Sequence, residues 1–201
     1  MSCVIRLASD ADAPAVAAIY APAVTASAAS FELEPPDADE MARRMAETQR
    51  RTPWLVCERD GRVAGYAYAG RHRDRPAYRW SVEVSAYVSP DARRTGLGRA
   101  LYTSLFAVLR LQGFRSAFAG ITLPNHPSQA LHRAVGFERV GVFPRIGYKH
   151  GAWHDVEWLC LALLPHVAEP PEPVALPDVS DARALSRALS SGAAPAGPVH
   201  P

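Results

Sequence analysis

The chain has 201 residues and is 48% hydrophobic, which suffices for one folded core. Its formal charge is +2 and Lys149 is its only lysine, so the composition predicts no nucleic-acid partner. Cys3, Cys57 and Cys160 lie far apart without CxxC spacing, which argues against a disulfide framework and a zinc site and favours a reducing cytosol.

The first part of the chain predicts a strand over 3–7 and an Ala-rich helix that Pro22 should bend or end. The uncharged run over 13–31 is too weakly apolar for a membrane span. Acidic residues precede this run where an export signal would carry positive charge, so we expect a cytoplasmic protein. A second helix is predicted from 37 to about 50, with acidic residues first and arginines later.

A hairpin and a third strand come next. Two apolar runs, 54–58 and 63–69, flank Asp60-Gly61, which is a strong hairpin-turn signal. Alternating apolar and polar residues over 78–88 predict a strand in which Glu83 lies on the more polar face.

The second half predicts two helices and three strands. One helix begins at Gly96 and ends at Gly113, and its apolar stripe must dock on the sheet. The other elements are a strand over 116–123, a helix over 125–136 and strands over 137–142 and 155–163.

From about residue 165 the composition changes. The segment 165–201 holds eight of the eighteen prolines and has no Phe, Tyr or Trp, so it cannot bury enough surface to fold alone. We therefore expect a domain over 1–164 and a disordered Pro/Ala/Ser-rich tail over 165–201, with a transient helical turn near Leu185.

The loop over 93–98, RRTGLG, joins the Glu83 strand to the next helix. Its glycines let backbone N–H groups approach an anion, and the helix adds the positive end of its dipole, which suits a pyrophosphate. The spacing fits neither GxGxxG nor GxxxxGK[ST], so dinucleotide folds and P-loop NTPases are poorly supported. An ordinary strand-to-helix turn with a solvated arginine pair is the alternative.

This loop resembles the Q/R-x-x-G-x-G/A acetyl-CoA loop of the GNAT superfamily of N-acetyltransferases. Further motifs resemble its phosphinothricin acetyltransferase branch, and the resemblance covers about residues 4 to 164. They are YAPAV at 20–24, SFE at 30–32, PWLV at 53–56, VAGYAYA at 63–69, LPN at 123–125, LHRAVGF at 131–137 and GYKHGAWHDV at 147–156.

The resemblance implies an α/β fold with a mixed, largely antiparallel sheet, about four flanking helices and strands splayed near Glu83. It implies acetyl-CoA as co-substrate, no metal, a homodimer, and N-acetylation of a small amino acid or analogue such as phosphinothricin or methionine sulfoximine. Two alternatives stay open: another amine acceptor, such as a protein N-terminus or a polyamine, and a non-catalytic module that senses acyl-CoA or an amino acid.

Glu83 is the candidate general base. Acetyl transfer requires the acceptor ammonium to lose a proton before its lone pair attacks the thioester. Val82 and Val84 flank Glu83, so desolvation should raise the pKa of its carboxyl group. The resemblance matches Glu83 to the base of the family; the alternative is a solvated strand carboxylate.

The resemblance also implies the cofactor contacts. A backbone N–H near Tyr87 would stabilise the oxyanion of the tetrahedral intermediate. The pantetheine arm would lie along the strand end, the pyrophosphate in the glycine loop, and a further contact would come from the next strand end. The residues implied are Ala86, Tyr87 and Val88 for the arm, Arg94, Thr95, Gly96, Leu97, Gly98 and Arg99 for the pyrophosphate, and Asn125.

His132 lies four residues after Ser128, on the same helix face. The resemblance offers His132 as a second catalytic or proton-donating group, whereas a solvated or packing histidine is the alternative. No serine lies in a nucleophile-elbow pattern, so direct transfer from the cofactor is preferred over an acyl-enzyme.

The loop after the second hairpin strand is rich in arginine. Guanidinium groups suit carboxylate and phosphinate groups, and a basic site disfavours polyamines. The resemblance assigns Arg73, Arg75 and Tyr78 to the acceptor, with Phe31 packing against it. The alternative is a solvated cluster that Asp74 partly neutralises.

Overall fold

The computed structural model describes residues 3 to 193. This part of the chain forms one seven-stranded sheet and five α-helices. The strands are β1 (Cys3–Leu7), β2 (Trp54–Arg59), β3 (Arg62–Arg71), β4 (Ser81–Val88), β5 (Ser116–Thr122), β6 (Glu138–Lys149) and β7 (Ala152–Ala162). The helices are α1 (Ala13–Thr25), α2 (Ala38–Gln49), α3 (Leu97–Gln112), α4 (His126–Ala134) and α5 (Ala182–Ser190). None of these helices is long and apolar enough to cross a bilayer.

The sheet order is β1-β2-β3-β4-β5-β7-β6, and every pair is antiparallel except β4 with β5. Side-chain alternation divides the core into two layers. Val82 and Val84 face the layer that contains α3, whereas Tyr66 and Tyr87 face the layer that contains α1 and α2. The predicted α/β fold with a mixed, largely antiparallel sheet is confirmed.

The parallel seam between β4 and β5 is short. It pairs only Ser81–Glu83 with Ser116–Phe118, although β4 runs on to Val88. β5 turns away and continues to pair with β7 as far as Thr122. The two strands therefore splay after Glu83, as the family resemblance implies.

Two predicted boundaries in the first half of the chain differ from the structure. Pro22 lies inside α1, because Val16, Tyr20 and Val24 are buried along the same helix and hold it on the core. The third strand begins at Ser81, since a 3-10 turn precedes it.

The last two strands form a longer hairpin than the pattern indicates. The β6 register shifts between Phe143 and Gly147. This bulge contains Pro144 and Arg145, which has φ of 49°. Proline cannot donate to a ladder and is tolerated at bulges, so the strand resumes beyond the point at which its sequence signal stops.

The expected disordered tail differs from the structure over residues 165 to 193. This C-terminal segment crosses the open side of α3. Gln112 on α3 donates to the carbonyl oxygens of Arg51 (2.7 Å) and Val174 (2.9 Å). The Trp80 indole N–H donates to Pro171 O at 2.8 Å. The predicted disorder of residues 194 to 201 lies outside the described residues.

The end of the C-terminal segment is the amphipathic helix α5. Asp181 accepts from the Ala184 N–H at 2.8 Å and caps this helix. Leu176 and Ala188 are buried with Val108 of α3. The segment lacks a core of its own, but its few apolar residues complete the core of the domain, which composition alone does not reveal.

The argument against a disulfide framework did not anticipate one bonded pair. Cys3 on β1 and Cys57 on β2 are bonded, with 6.4 Å between their Cα atoms. Residue spacing along the chain carries no information on which cysteines neighbouring strands bring together. Cys160 on β7 is free and half-buried.

Candidate active site

Glu83 stands at the point where the sheet opens. It is the last β4 residue paired with β5, where it lies opposite Phe118, and its partner on β3 is Gly70. A Cβ at Gly70 would meet nothing within 4 Å, so the space beside Glu83 is open. Burial raises the pKa of the Glu83 carboxyl group above its usual range, and nearby Arg73 opposes that rise. The side chain is still 39% exposed, as a base that meets a substrate must be.

An aromatic wall borders Glu83 on its β5 side. The His72 ring stacks on Phe118 with 4.3 Å between centroids, and Trp158 of β7 meets His72 edge-on at 5.9 Å. The Arg73 guanidinium lies over the Trp158 ring at 5.7 Å from its centroid. Sequence analysis missed this wall. The alternation of β5 and β7 places Phe118 and Trp158 on one sheet face, but only the β5–β7 register shows that they meet there.

The glycine loop has the backbone that an anion site requires. Arg94 and Gly96 have φ of 59° and 83°, and Gly96, as the N-cap of α3, brings no side chain to cover the first-turn N–H groups. The Thr95 hydroxyl donates to Ala92 O at 2.7 Å and fixes the turn. A Cβ on Gly98 would lie 2.9 Å from the Leu131 side chain, so glycine also permits α3 and α4 to approach. The loop therefore presents free N–H groups in a fixed frame.

The remaining predicted cofactor residues lie around this loop. Ala86, Tyr87 and Val88 are half-buried and pair with β3, while their other side faces the splay. In an antiparallel strand alternate N–H groups point to that other side. Arg99 is exposed on the first turn of α3, beside Leu97, which is buried. Asn125 caps α4, and its Oδ1 accepts from the Ser128 N–H at 3.2 Å.

His132 is buried between α3 and α4 and is 6% exposed. Its Nδ1 lies 2.8 Å from Ser128 O, and because a carbonyl only accepts, Nδ1 carries the proton. In the neutral ring Nε2 therefore accepts from the Tyr102 hydroxyl, 3.0 Å away. Burial lowers the pKa of His132 and raises that of Tyr102. The predicted shared face with Ser128 is present, but in this arrangement Nε2 carries no proton and accepts the one on Tyr102.

An arginine-lined cleft of about 310 Å³ lies beside Glu83, at the ends of β3 and β4. Gly70 and Val82, which lie next to Glu83 in the sheet, form part of its wall. Burial, together with nearby Arg71 and Arg79, lowers the pKa of Arg51. The charged and hydroxyl-bearing side chains around the cleft are Arg51, Thr52, Arg71, Arg73, Asp74, Arg75, Tyr78, Arg79, Ser81 and Glu172. Five arginines against two carboxylates make it a strongly positive cleft.

Phe31 is 39% exposed and lies over the β6–β7 hairpin. Its ring packs so closely on Gly147 that a Cβ there would overlap it. His154 is a further ring neighbour at 6.2 Å. Lys149 is 4% exposed and donates to Ser30 O at 2.7 Å, directly before Phe31.

A second cavity, of about 170 Å³, lies between α1, α2 and the sheet. Trp54, Tyr66 and Tyr68 form its aromatic floor. Glu32 borders this cavity and accepts from the Tyr20 hydroxyl at 2.9 Å; burial raises the pKa of Tyr20 to about 12. No group of three His, Cys, Asp or Glu side chains that could hold a metal ion occurs among residues 3 to 193.

The glycine loop, the sheet splay and the carboxylate of Glu83 all lie within the part of the chain that matches a known family. The family model described as an acetyltransferase (GNAT) domain matches residues 5–158. The chain belongs to the GNAT acetyltransferase family. The predictions of the family and of an N-acetyltransferase are confirmed.

Two relatives and one solved structure agree with this family assignment. Phosphinothricin N-acetyltransferase of Streptomyces viridochromogenes is 44% identical over 171 residues, which cover 85% of this chain and 93% of that protein. The L-methionine sulfoximine/L-methionine sulfone acetyltransferase of Pseudomonas aeruginosa is 39% identical and covers 85% of this chain and 100% of that protein. A phosphinothricin acetyltransferase from Sinorhizobium meliloti, solved with acetyl-CoA, has a TM-score of 0.82 at 39% identity and covers 87% of this chain and 96% of that one.

Proposed function

We propose that this enzyme transfers the acetyl group of acetyl-CoA to the amino group of a small anionic amino acid or analogue, such as phosphinothricin or methionine sulfoximine. The observation that carries the proposal is the position of Glu83. This carboxylate with a raised pKa lies at the sheet splay, between the glycine loop and the arginine-lined cleft. The names of the relatives, and the acetyl-CoA in the Sinorhizobium structure, support the same chemistry.

Acetyl-CoA would lie along the unpaired side of β4. The pyrophosphate would bind the N–H groups over residues 94–99, where the dipole of α3 is positive. The pantetheine arm would run along Ala86–Val88 and use backbone groups that β5 leaves unpaired. Asn125 borders the same space from the start of α4. In this position the thioester of acetyl-CoA would lie beside Glu83.

The chemical step follows from these positions. Glu83 takes a proton from the acceptor ammonium, so its nitrogen lone pair can attack the thioester carbonyl carbon. A backbone N–H near Tyr87 stabilises the oxyanion. The C–S bond then breaks and coenzyme A leaves as a thiolate. The thiolate would be protonated by His132 only after that ring gains a second proton, because its one proton lies on Nδ1 against Ser128 O and its Nε2 accepts the proton of the buried Tyr102 hydroxyl.

The acceptor's anionic group would bind the arginine loop. Arg73, Arg75 and Tyr78 all line the cleft beside Glu83, and Arg73 reaches the aromatic wall. Guanidinium groups pair with carboxylates and phosphinates through charge-assisted hydrogen bonds. Phe31 would pack on the apolar part of the acceptor. A polyamine would meet five arginines here, which disfavours that alternative.

We also propose a homodimer that uses the β6–β7 hairpin. Five large apolar side chains are exposed there at 47–62%, which is unusual for a monomer surface. They are Val140, Phe143, Ile146, Tyr148 and Trp153. Sedimentation equilibrium tests the proposal, and a Trp153→Glu variant should sediment as a monomer.

Release of free coenzyme A thiol tests the proposed reaction. Acetyl-CoA is incubated with phosphinothricin, methionine sulfoximine, methionine sulfone, spermidine or a peptide with a free N-terminus. We expect release with the first three and none with spermidine. Glu83→Gln should abolish most release yet bind acetyl-CoA with wild-type affinity in calorimetry. Acetyl-CoA binding by the wild type without release from any acceptor would favour the sensing module.

A further inference from the structure

The His72 ring is held in one orientation. It follows β3 directly, and its side chain is only 12% exposed. One face stacks on Phe118 with an interplanar angle of 14°, and Trp158 and Tyr78 meet the ring edge-on at 5.9 and 6.2 Å. Such packing leaves little rotamer freedom. The ring nitrogens therefore point in fixed directions.

One ring nitrogen of His72 faces Glu83, the candidate base. His72 Nδ1 lies 3.8 Å from Glu83 Oε2. This nitrogen is buried and has no hydrogen-bond partner among the described residues. Buried polar atoms without partners are rare in folded proteins, because the lost hydrogen bonds to water are not replaced. A movement of the Glu83 carboxylate by about 1 Å would bring the two atoms to hydrogen-bonding distance.

We propose that His72 is a positioning residue for Glu83: its Nδ1–H donates to Oε2 and holds the carboxylate toward the acceptor amine. The inference rests on the proposed function, since it assigns the orientation of that base to a neighbour. It also gives the unpartnered nitrogen a partner. Glu83 still takes the proton, and His72 exchanges none during turnover.

The charges around His72 suit a neutral donor. Burial and nearby Arg73 lower the pKa of His72, so the ring is uncharged near neutral pH. The titratable or charged groups that face the ring are Arg73, Glu83 and Tyr78; its neighbours on β5 and β7, Phe118 and Trp158, carry no charge. A neutral N–H favours the ionised form of Glu83 without adding the full charge that would make it a poor base.

Packing alone would not require a nitrogen at this position. Phenylalanine has the same flat shape and would stack on Phe118 equally well. Unlike phenylalanine, the imidazole of His72 can direct an N–H at the Glu83 carboxylate. A phenylalanine variant therefore separates the hydrogen bond from the stacking.

The test compares three variants in the thiol-release assay across pH 5 to 9. His72→Phe keeps the stack and removes the donor, and His72→Asn keeps a donor near Nδ1. His166→Phe is the matched control, because that histidine is exposed and contacts Ser116 outside the site. We expect His72→Phe to lower kcat/KM about tenfold at pH 7 and to move its acid limb up by about one pH unit. His72→Asn should restore the position of the limb.

A second measurement does not depend on turnover. The carboxyl carbon of Glu83, assigned with Glu83→Gln, is titrated by NMR in the free wild type and in His72→Phe. A higher pKa of Glu83 in the variant supports the hydrogen bond, and equal values overturn the inference. Absence of thiol release from the wild type would count against the proposed function, while the NMR titration would still decide the role of His72.

Discussion

Lys149 and Ser30 are joined by a buried hydrogen bond of 2.7 Å, from the lysine Nζ to the serine carbonyl oxygen. The same ammonium donates to Val24 O at 2.6 Å, so it ties the end of α1 to the segment that presents Phe31. Burial lowers the pKa of Lys149, and nearby Glu32 opposes this change. The only lysine of the chain is thus a structural support of the proposed acceptor site.

Replacing Lys149 by Met should destabilise the protein and weaken acceptor binding. Two buried carbonyl oxygens lose their donor, which should lower the free energy of unfolding by about 2 kcal/mol. Phe31 then loses its anchor, so KM for the acceptor should rise more than KM for acetyl-CoA. Urea unfolding and steady-state kinetics measure the two effects. Glu138→Gln, an exposed position of the same strand, should match the wild type.

The acid limb of activity should reflect the raised pKa of Glu83. The base must be ionised to accept a proton, and a raised pKa keeps it protonated to a higher pH than an ordinary glutamate. We therefore expect kcat/KM to fall, as the pH is lowered, with an apparent pKa above the ordinary 4.5. In Arg73→Gln the pKa of Glu83 should rise further, because that arginine now opposes the shift. An apparent pKa at or below the ordinary value would contradict this account.

Gly96→Ala tests the backbone of the cofactor loop. A methyl group at this position meets nothing within 4 Å, so space is not the difficulty. The φ of 83° is the difficulty, because residues with a Cβ avoid it at a cost of about 1 kcal/mol. The variant should lose about that much stability and raise KM for acetyl-CoA, with kcat less affected. Unchanged KM would place the pyrophosphate elsewhere.

Leu176→Ala tests whether the C-terminal segment belongs to the core. Leu176 is 7% exposed and packs with Val108 of α3. Its truncation should lower the free energy of unfolding by about 2–3 kcal/mol. Val167→Ala provides the control in the same segment, since Val167 is 50% exposed and should change stability by less than about 0.5 kcal/mol. Equal effects of the two would show that the segment contributes no core.

Tyr102→Phe tests the buried pair between α3 and α4. The variant removes the O–H that donates to His132 and leaves Nε2 buried without a partner. Stability should fall by about 1–2 kcal/mol. A fall in kcat with KM for both substrates retained would show that the pair also takes part in the reaction. Retention of kcat would restrict His132 to packing.

The sequence could predict those parts of the candidate site that are continuous in the chain. The glycine loop, the alternation around Glu83 and the arginine loop each carry a local signal. The aromatic wall does not, because Phe118 and Trp158 meet His72 only through the β5–β7 pairing. Lys149 was equally hidden, since its partners lie more than a hundred residues earlier.

The C-terminal segment and the Cys3–Cys57 bond were missed for a related reason. A segment poor in aromatic residues cannot form a core alone. Here the side of α3 that contacts Leu176 provides the apolar surface on which the segment packs. Composition describes a segment in isolation, whereas burial depends on its neighbours. Cysteine spacing fails likewise, because strand pairing decides which sulfur atoms meet.

Because β4 and β5 pair over only three residues, the binding of coenzyme A should be coupled to the free energy of unfolding. Val84 to Val88 have no strand partner on the β5 side, so the sheet is incomplete in the free enzyme. A pantetheine arm with its own amides would act as a non-covalent eighth strand there. An enzyme saturated with coenzyme A should therefore exchange the β4 amide protons more slowly than the free enzyme. A mutation that loosens the seam should cost less stability when the nucleotide is present.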